Sequence, residues 1–179
     1  MQQAEPVRLI PVWRALLCDG LTPVEVYARL AAGWREGGGP LGSVSYMLES
    51  VGAGGERWAR YSVVGFGCRA RITGVWTGEA LAVTVEAGPG FTLPAGVPVH
   101  SHGLAAIEAL LAAYHSPAQP ELPRFWGGLV GVWGHEVVRA FERLPGAAAM
   151  PGEPPALDLI VSDTVLVFDN FSQRVQIFA

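Results

Sequence analysis

Val44-Ser45-Tyr46-Met47-Leu48-Glu49-Ser50, followed across Gly52-Ala53-Gly54-Gly55 by Glu56-Arg57-Trp58-Ala59-Arg60-Tyr61-Ser62, decides how this chain is read. The run from Val44 to Leu48 is apolar and β-like, and it ends on an acid and a hydroxyl. After the glycine-rich turn a second β-like run is led by a guanidinium, Arg60. Such a set suits a zwitterionic amino acid. A carboxylate takes the ammonium, a guanidinium and a hydroxyl take the carboxylate, and apolar residues wall the side chain. Consecutive strand residues point to opposite faces, so Glu49 and Ser50 share a pocket only if the strand ends there, which Gly52 to Gly55 favours. Competing structural roles stay open. Ser50 could cap a turn amide, and Arg60 could pair at the surface with Glu56 or Glu49.

Working outward, Thr22-Pro23-Val24-Glu25 predicts a helix start, with Thr22 as N-cap, Pro23 at the first helical position and Glu25 completing a capping box. Tyr27, Leu30, Ala31 and Trp34 form its apolar stripe, and Gly37-Gly38-Gly39-Pro40 stops it. Strands are predicted over Ser43 to Glu49, Arg60 to Gly65 and Cys68 to Thr73. Ala80 to Glu86 and Phe91 to Leu93 flank the turn Gly88-Pro89-Gly90. Leu104 to Tyr114 predicts a second helix, and Gly127 to Trp133 a buried strand whose glycines permit close backbone approach. Pro145 to Pro155 reads as an ordered surface loop, Leu157 to Phe168 as a long strand with a bend at Ser162-Asp163, and Arg174 to Ala179 as its return. An apolar strand at the end leaves an unpaired edge, so the expectation is a polypeptide cut at a hairpin.

Composition excludes several classes. The chain has 179 residues, half of them apolar and 16% charged, enough for one real core. Its net charge of −4, without a basic cluster, argues against a nucleic-acid groove. No apolar run approaches the roughly 18 to 20 residues of a membrane span, and Glu5, Pro6 and Arg8 interrupt any signal segment. Cys18 and Cys68 lack CxxC spacing and read as reduced, buried thiols of a cytoplasmic protein. Gly52-Ala53-Gly54-Gly55 is no phosphate loop, because a strand follows it and the chain has no lysine. His100-Ser101-His102 hints at metal without a third ligand and reads as surface histidines.

Several motifs agree in order and spacing: Pro11-Val12-Trp13-Arg14, Leu21-Thr22-Pro23, Leu48-Glu49-Ser50, Gly55 to Ser62 and Gly127-Gly128-Leu129-Val130-Gly131. In these the chain resembles the N-terminal region of anthranilate synthase component I, from about Pro11 to the last residue. The resemblance implies an α+β fold, the N-terminal part of a two-sheet antiparallel β sandwich with flanking helices. Residues 1–179 form one region, and the chorismate-binding half is absent. It also implies tryptophan as effector, with Ser50, Glu49 and Arg60 as tryptophan-binding residues and no catalytic residue. The complete enzyme would use Mg2+ and a glutamine amidotransferase partner, component II, to make anthranilate and pyruvate from chorismate. One departure stands out. Where the family has Tyr-x-x-Tyr-Asp and then Val-Arg, this chain has Val132-Trp133-Gly134-His135-Glu136-Val137-Val138-Arg139, keeping the acid and arginine but losing both tyrosines. Aminodeoxychorismate synthase component I, in folate synthesis, shares the architecture. A non-enzymatic amino-acid-binding module is the alternative of a different class.

Overall fold

The computed structural model describes residues 7–37, 41, 43–50, 60–144 and 154–179. The predicted helix stop at Gly38 to Pro40, the loop Gly52 to Gly55 with Glu56 to Ala59, and most of the loop Pro145 to Pro155 lie outside the described residues. In chain order the elements are β1 (Val7–Arg8), β2 (Trp13–Leu17), α1 (Pro23–Gly37), β3 (Ser45–Leu48) and β4 (Tyr61–Trp76). Then come β5 (Leu81–Ala87), β6 (His100–His102), α2 (Ala105–Ala112), β7 (Tyr114–His115) and β8 (Leu129–Trp133). A 3-10 turn (His135–Ala140), β9 (Leu157–Asp169) and β10 (Arg174–Phe178) complete the order.

The chain divides into two compact units, one of Met1–Leu9, Ala70–Pro117 and Leu129–Ile160, the other of Ile10–Arg69, Ala118–Gly128 and Val161–Ala179. In the second unit β10 pairs antiparallel with both β2 and β9, and β3 pairs antiparallel with β4, itself the neighbour of β9. Strand alternation sorts the side chains onto two faces. Val64, Phe66, Leu166, Phe168 and Val175 pack with Ala31 of α1, joined by the half-buried Val26 and Tyr27. Val63, Val165, Val167 and Phe178 turn the other way, against Leu122, Phe125 and Trp126. Each buried side chain of this size contributes about 1.5–3 kcal/mol, so both faces stabilise the sheet. Helix α1 starts as its sequence demands: the Glu25 amide donates to Thr22 Oγ1 at 3.2 Å, and the Thr22 amide donates to Glu25 Oε2 at 2.9 Å. Of the predicted stripe, Tyr27 and Ala31 meet the core, while the Trp34 side chain lies outside the described residues. Leu30 is exposed, and Val26 takes its place against the core.

In the first unit β4 continues and pairs antiparallel with β5, which pairs with β6. Ile72, Leu81, Val83 and Val85 are buried, as are Ala106, Ile107 and Leu110 of α2, while Thr84 and Glu86 on the alternate side of β5 are exposed. β8 pairs with β9, and β1 with β7 in a two-residue parallel ladder. The α+β antiparallel class is thus observed. Within neither unit, among the described residues, does a second large sheet pack on the first. Side chains of α1 and of the Leu122–Trp126 segment occupy the faces in the second unit.

Two strand expectations change. The separate strands Arg60 to Gly65 and Cys68 to Thr73 are one sixteen-residue strand, β4. The glycines that suggest a break serve packing instead. Gly65 sits opposite Tyr46 in register, and a Cβ there would run into the Tyr46 ring. Gly67, at φ 76°, lets the strand continue while its amide donates to the Val44 carbonyl at 2.9 Å. Phe91 to Leu93 is irregular, and β6 pairs with β5 in its place. β9 itself runs unbroken through Ser162 and Asp163.

Gly131 in β8 makes the close approach its sequence suggested: a Cβ would strike the Asp158 carbonyl oxygen and press on Leu159 Cα. Backbone cannot yield as a side-chain tip can. Gly131→Ala is expected to destabilise the protein by about 2 kcal/mol or more, read as a lower denaturation midpoint. Gly33→Ala in α1, where nothing lies within 4 Å of the added carbon, should instead stabilise by about 0.5–1 kcal/mol.

Candidate functional site

The last paired residue of β3 is Leu48, opposite Val63 of β4. Glu49 and Ser50 follow immediately, outside the ladder, with Glu49 exposed and Ser50 half-buried. The strand ends where the expected shared pocket requires it to end. Arg60 immediately precedes β4, on the same side of this hairpin. Placement of the expected trio at one end of one hairpin follows from the β3–β4 register.

The guanidinium of Arg60 has a partner that local sequence does not suggest. Its Nε and Nη2 donate to Asp169 Oδ1 and Oδ2 at 3.0 and 2.6 Å, a bidentate pair across 109 positions of sequence. The backbone joins in, because the Asn170 amide donates to the Arg60 carbonyl at 2.8 Å. Asp169 Oδ1 also accepts the amides of Phe171 at 3.1 Å and Ser172 at 3.4 Å, the role an Asp plays in opening a turn. Arg60 Cζ lies 4.9 Å from the Tyr61 ring centroid. The sequence offers Glu56 and Glu49 as surface partners for Arg60. The acid observed is Asp169, at the end of β9 where the β9–β10 turn begins.

These contacts fix the charge state. Arg60 first, then the Ser172 side chain and the amides of Phe171 and Ser172, hold the Asp169 carboxyl down to about 2 against the opposing effect of burial. The same hydrogen bond raises the already high pKa of Arg60, so it is cationic at every working pH.

A cavity of about 150 Å3 opens beside Asp169, lined also by Cys18, Thr22, Phe168, Asn170 and Arg174. It is smaller than the roughly 300 Å3 at which drug-sized pockets begin. The Cys18 thiol on its wall is half-buried rather than buried, and burial first, then Asp19, raises its pKa. It stays protonated at neutral pH and is no activated nucleophile. Cys68 is buried and free, as expected.

His100 and His102 lie on β6 in the first unit, both exposed, with His100 Nδ1 3.3 Å from Thr84 Oγ1. Among the described residues no group of three or more His, Cys, Asp or Glu could hold a metal. In the segment where both family tyrosines are replaced, Arg139 pairs with Glu136 one turn back and donates to the Leu144 carbonyl at 3.1 Å. The retained acid and arginine therefore brace their own turn. Among the described residues no helix is long and apolar enough to cross a membrane.

The chain is 35% identical over 175 residues to anthranilate synthase component 1 of Pseudomonas aeruginosa, covering 96% of this chain and 32% of that protein. It is 37% identical over 173 residues to the protein of that name from Pseudomonas putida, covering 93% and 31%. To the one from Acetivibrio thermocellus it is 29% identical over 174 residues, covering 97% and 32%. The chain thus spans about a third of the length of the curated relatives it matches. No family model matches it.

The pKa of Asp169 yields a signed expectation. Because the folded value is depressed, the pair's contribution is fully present above the ordinary carboxyl value of about 3.9 and is lost as pH falls toward about 2. Carboxyl-carbon NMR titration should place the Asp169 midpoint near 2, and Arg60→Gln should move it up toward the ordinary range. A midpoint that ignores Arg60→Gln would contradict the assignment of Arg60 as the chief cause.

Proposed function

Because this chain belongs with the anthranilate synthase component 1 proteins, we propose that it is the N-terminal scaffold and tryptophan-sensing portion of an anthranilate synthase large subunit. The observation that carries the reading is the end of β3. Leu48-Glu49-Ser50 leaves the ladder at Leu48 and holds an acid and a half-buried hydroxyl at one hairpin end. Glu49 is suited to the ammonium of tryptophan and Ser50 to its carboxylate, with Arg60 the third member of the set. The relatives' shared name favours tryptophan synthesis over the folate branch.

In this proposal the complete cytoplasmic enzyme converts chorismate to anthranilate and pyruvate, with ammonia from a glutamine amidotransferase subunit. The reaction chemistry rests on residues beyond the third of the relatives that this chain matches. No residue of this chain is assigned as a magnesium ligand in this proposal. The sheet is proposed to gain strands from the remaining length and become part of a two-sheet sandwich. β2 pairs with β10 on one side, and all five of its residues are exposed.

Two measurements test this reading. The purified 179-residue chain, given chorismate, magnesium and ammonium, should form no anthranilate. Turnover that survives repurification would overturn the division of labour. In the chain joined to the remaining two thirds of the Pseudomonas aeruginosa relative, Ser50→Ala should raise the tryptophan inhibition constant. A lost hydrogen bond to a charged group costs about 1.5 to 3 kcal/mol, roughly ten- to 150-fold. An unchanged constant would make Ser50 a turn residue.

A further inference from the structure

We propose that the Arg60–Asp169 pair is the positioning element of the effector site, holding the β3–β4 hairpin end in place rather than contacting the effector. The inference rests on the tryptophan-site reading above and reassigns one of its three residues. Three observations carry it. Both the Nε and Nη2 donors of Arg60 are committed to Asp169, at 3.0 and 2.6 Å, in the fork geometry that a ligand carboxylate would itself need. The link is doubled in the backbone by the Asn170 amide on the Arg60 carbonyl, and Asn170 Nδ2 lies 3.4 Å from Ser62 Oγ on the strand just beyond. Asp169 is also bound to the amides of Phe171 and Ser172, so the acid is built into the β9–β10 turn and not a mobile surface carboxylate.

The start of β4 is therefore fastened to the β9–β10 turn, while the end of β3 is fastened to β4 through the ladder that closes at Leu48 and Val63. Glu49 and Ser50 take their position from that ladder. Removing the charge of Asp169 would release Arg60 without touching either of them. The two roles for Arg60 then predict opposite signs. A guanidinium that binds the effector carboxylate becomes more available once Asp169 is neutral, and inhibition tightens or stays. A guanidinium that serves as a fastening loses its anchor, and inhibition weakens.

The test uses the chain joined to the remaining two thirds of the Pseudomonas aeruginosa relative, with L-tryptophan as the probe. Asp169→Asn is expected to raise the tryptophan inhibition constant about tenfold or more. Arg60→Lys should do the same, because an ammonium cannot hold a carboxylate by two parallel bonds. Combining the two should add little, since both remove one interaction. Hydrogen exchange on the same proteins should show amides at Met47 to Ser50 and at Asn170 opening on the order of tenfold faster in Asp169→Asn. An inhibition constant that stays or falls in Asp169→Asn overturns the proposal, provided Ser50→Ala desensitises the same protein. If Ser50→Ala has no effect, the tryptophan-site reading fails, and the exchange data judge the fastening alone. Faster opening at these amides supports it, and unchanged exchange overturns it.

Discussion

The pairing of β4 with β9 is the constraint on which the other elements depend, and three ion pairs accompany it. Arg60, Arg69 and Arg71 meet Asp169, Asp163 and Asp158, at 2.6, 2.7 and 2.6 Å. Each pair is partly exposed and solvent-screened, and by itself contributes little to stability. A slip of one residue would turn every side chain to the opposite face. Within the second unit, that register decides which of Val63 and Val64, or of Val167 and Phe168, meets α1 and which meets Leu122, Phe125 and Trp126.

Tyr46 shows how packing and polarity are reconciled on this framework. Its ring lies over Gly65, the one residue that leaves it room, and its hydroxyl reaches Ser162 Oγ at 2.9 Å. Burial raises the phenol's pKa, so it stays neutral and hydrogen-bonded within an apolar layer. Trp13 does the equivalent for β2, stacking on its register partner Phe178 with ring centroids 6.3 Å apart. Trp126 approaches Phe178 at 6.1 Å. The Pro-Val-Trp-Arg motif thus marks an aromatic that anchors an exposed strand.

What could be read in the sequence follows a physical dividing line. The capping box of α1, helix α2, the long β9 and the return of β10 all come from local signals, and all are present. The single span of β4 was hidden because glycine usually signals a break, whereas Gly65 answers to Tyr46, nineteen positions away. β6 was hidden because His-Ser-His carries no apolar alternation, its place being set by the backbone of β5. Leu30 was assigned inward from periodicity, but the outward limit of a stripe depends on what α1 packs against. The end of β3 just before Glu49 and Ser50 was legible. The partner of Arg60 was not, since no local pattern announces an ion pair spanning 109 positions.

The reading gives the β3–β4 hairpin end two kinds of residue: Glu49 and Ser50 to meet a zwitterion, and Arg60 with Asp169 to hold them where they meet it. A crystal structure of the chain joined to the rest of the Pseudomonas aeruginosa relative, grown with L-tryptophan, tests both at once. The account expects the amino acid beside Glu49 and Ser50, with Arg60 still bidentate on Asp169. Tryptophan bound elsewhere would contradict the site, and Arg60 swung from Asp169 onto the ligand carboxylate would contradict the positioning role.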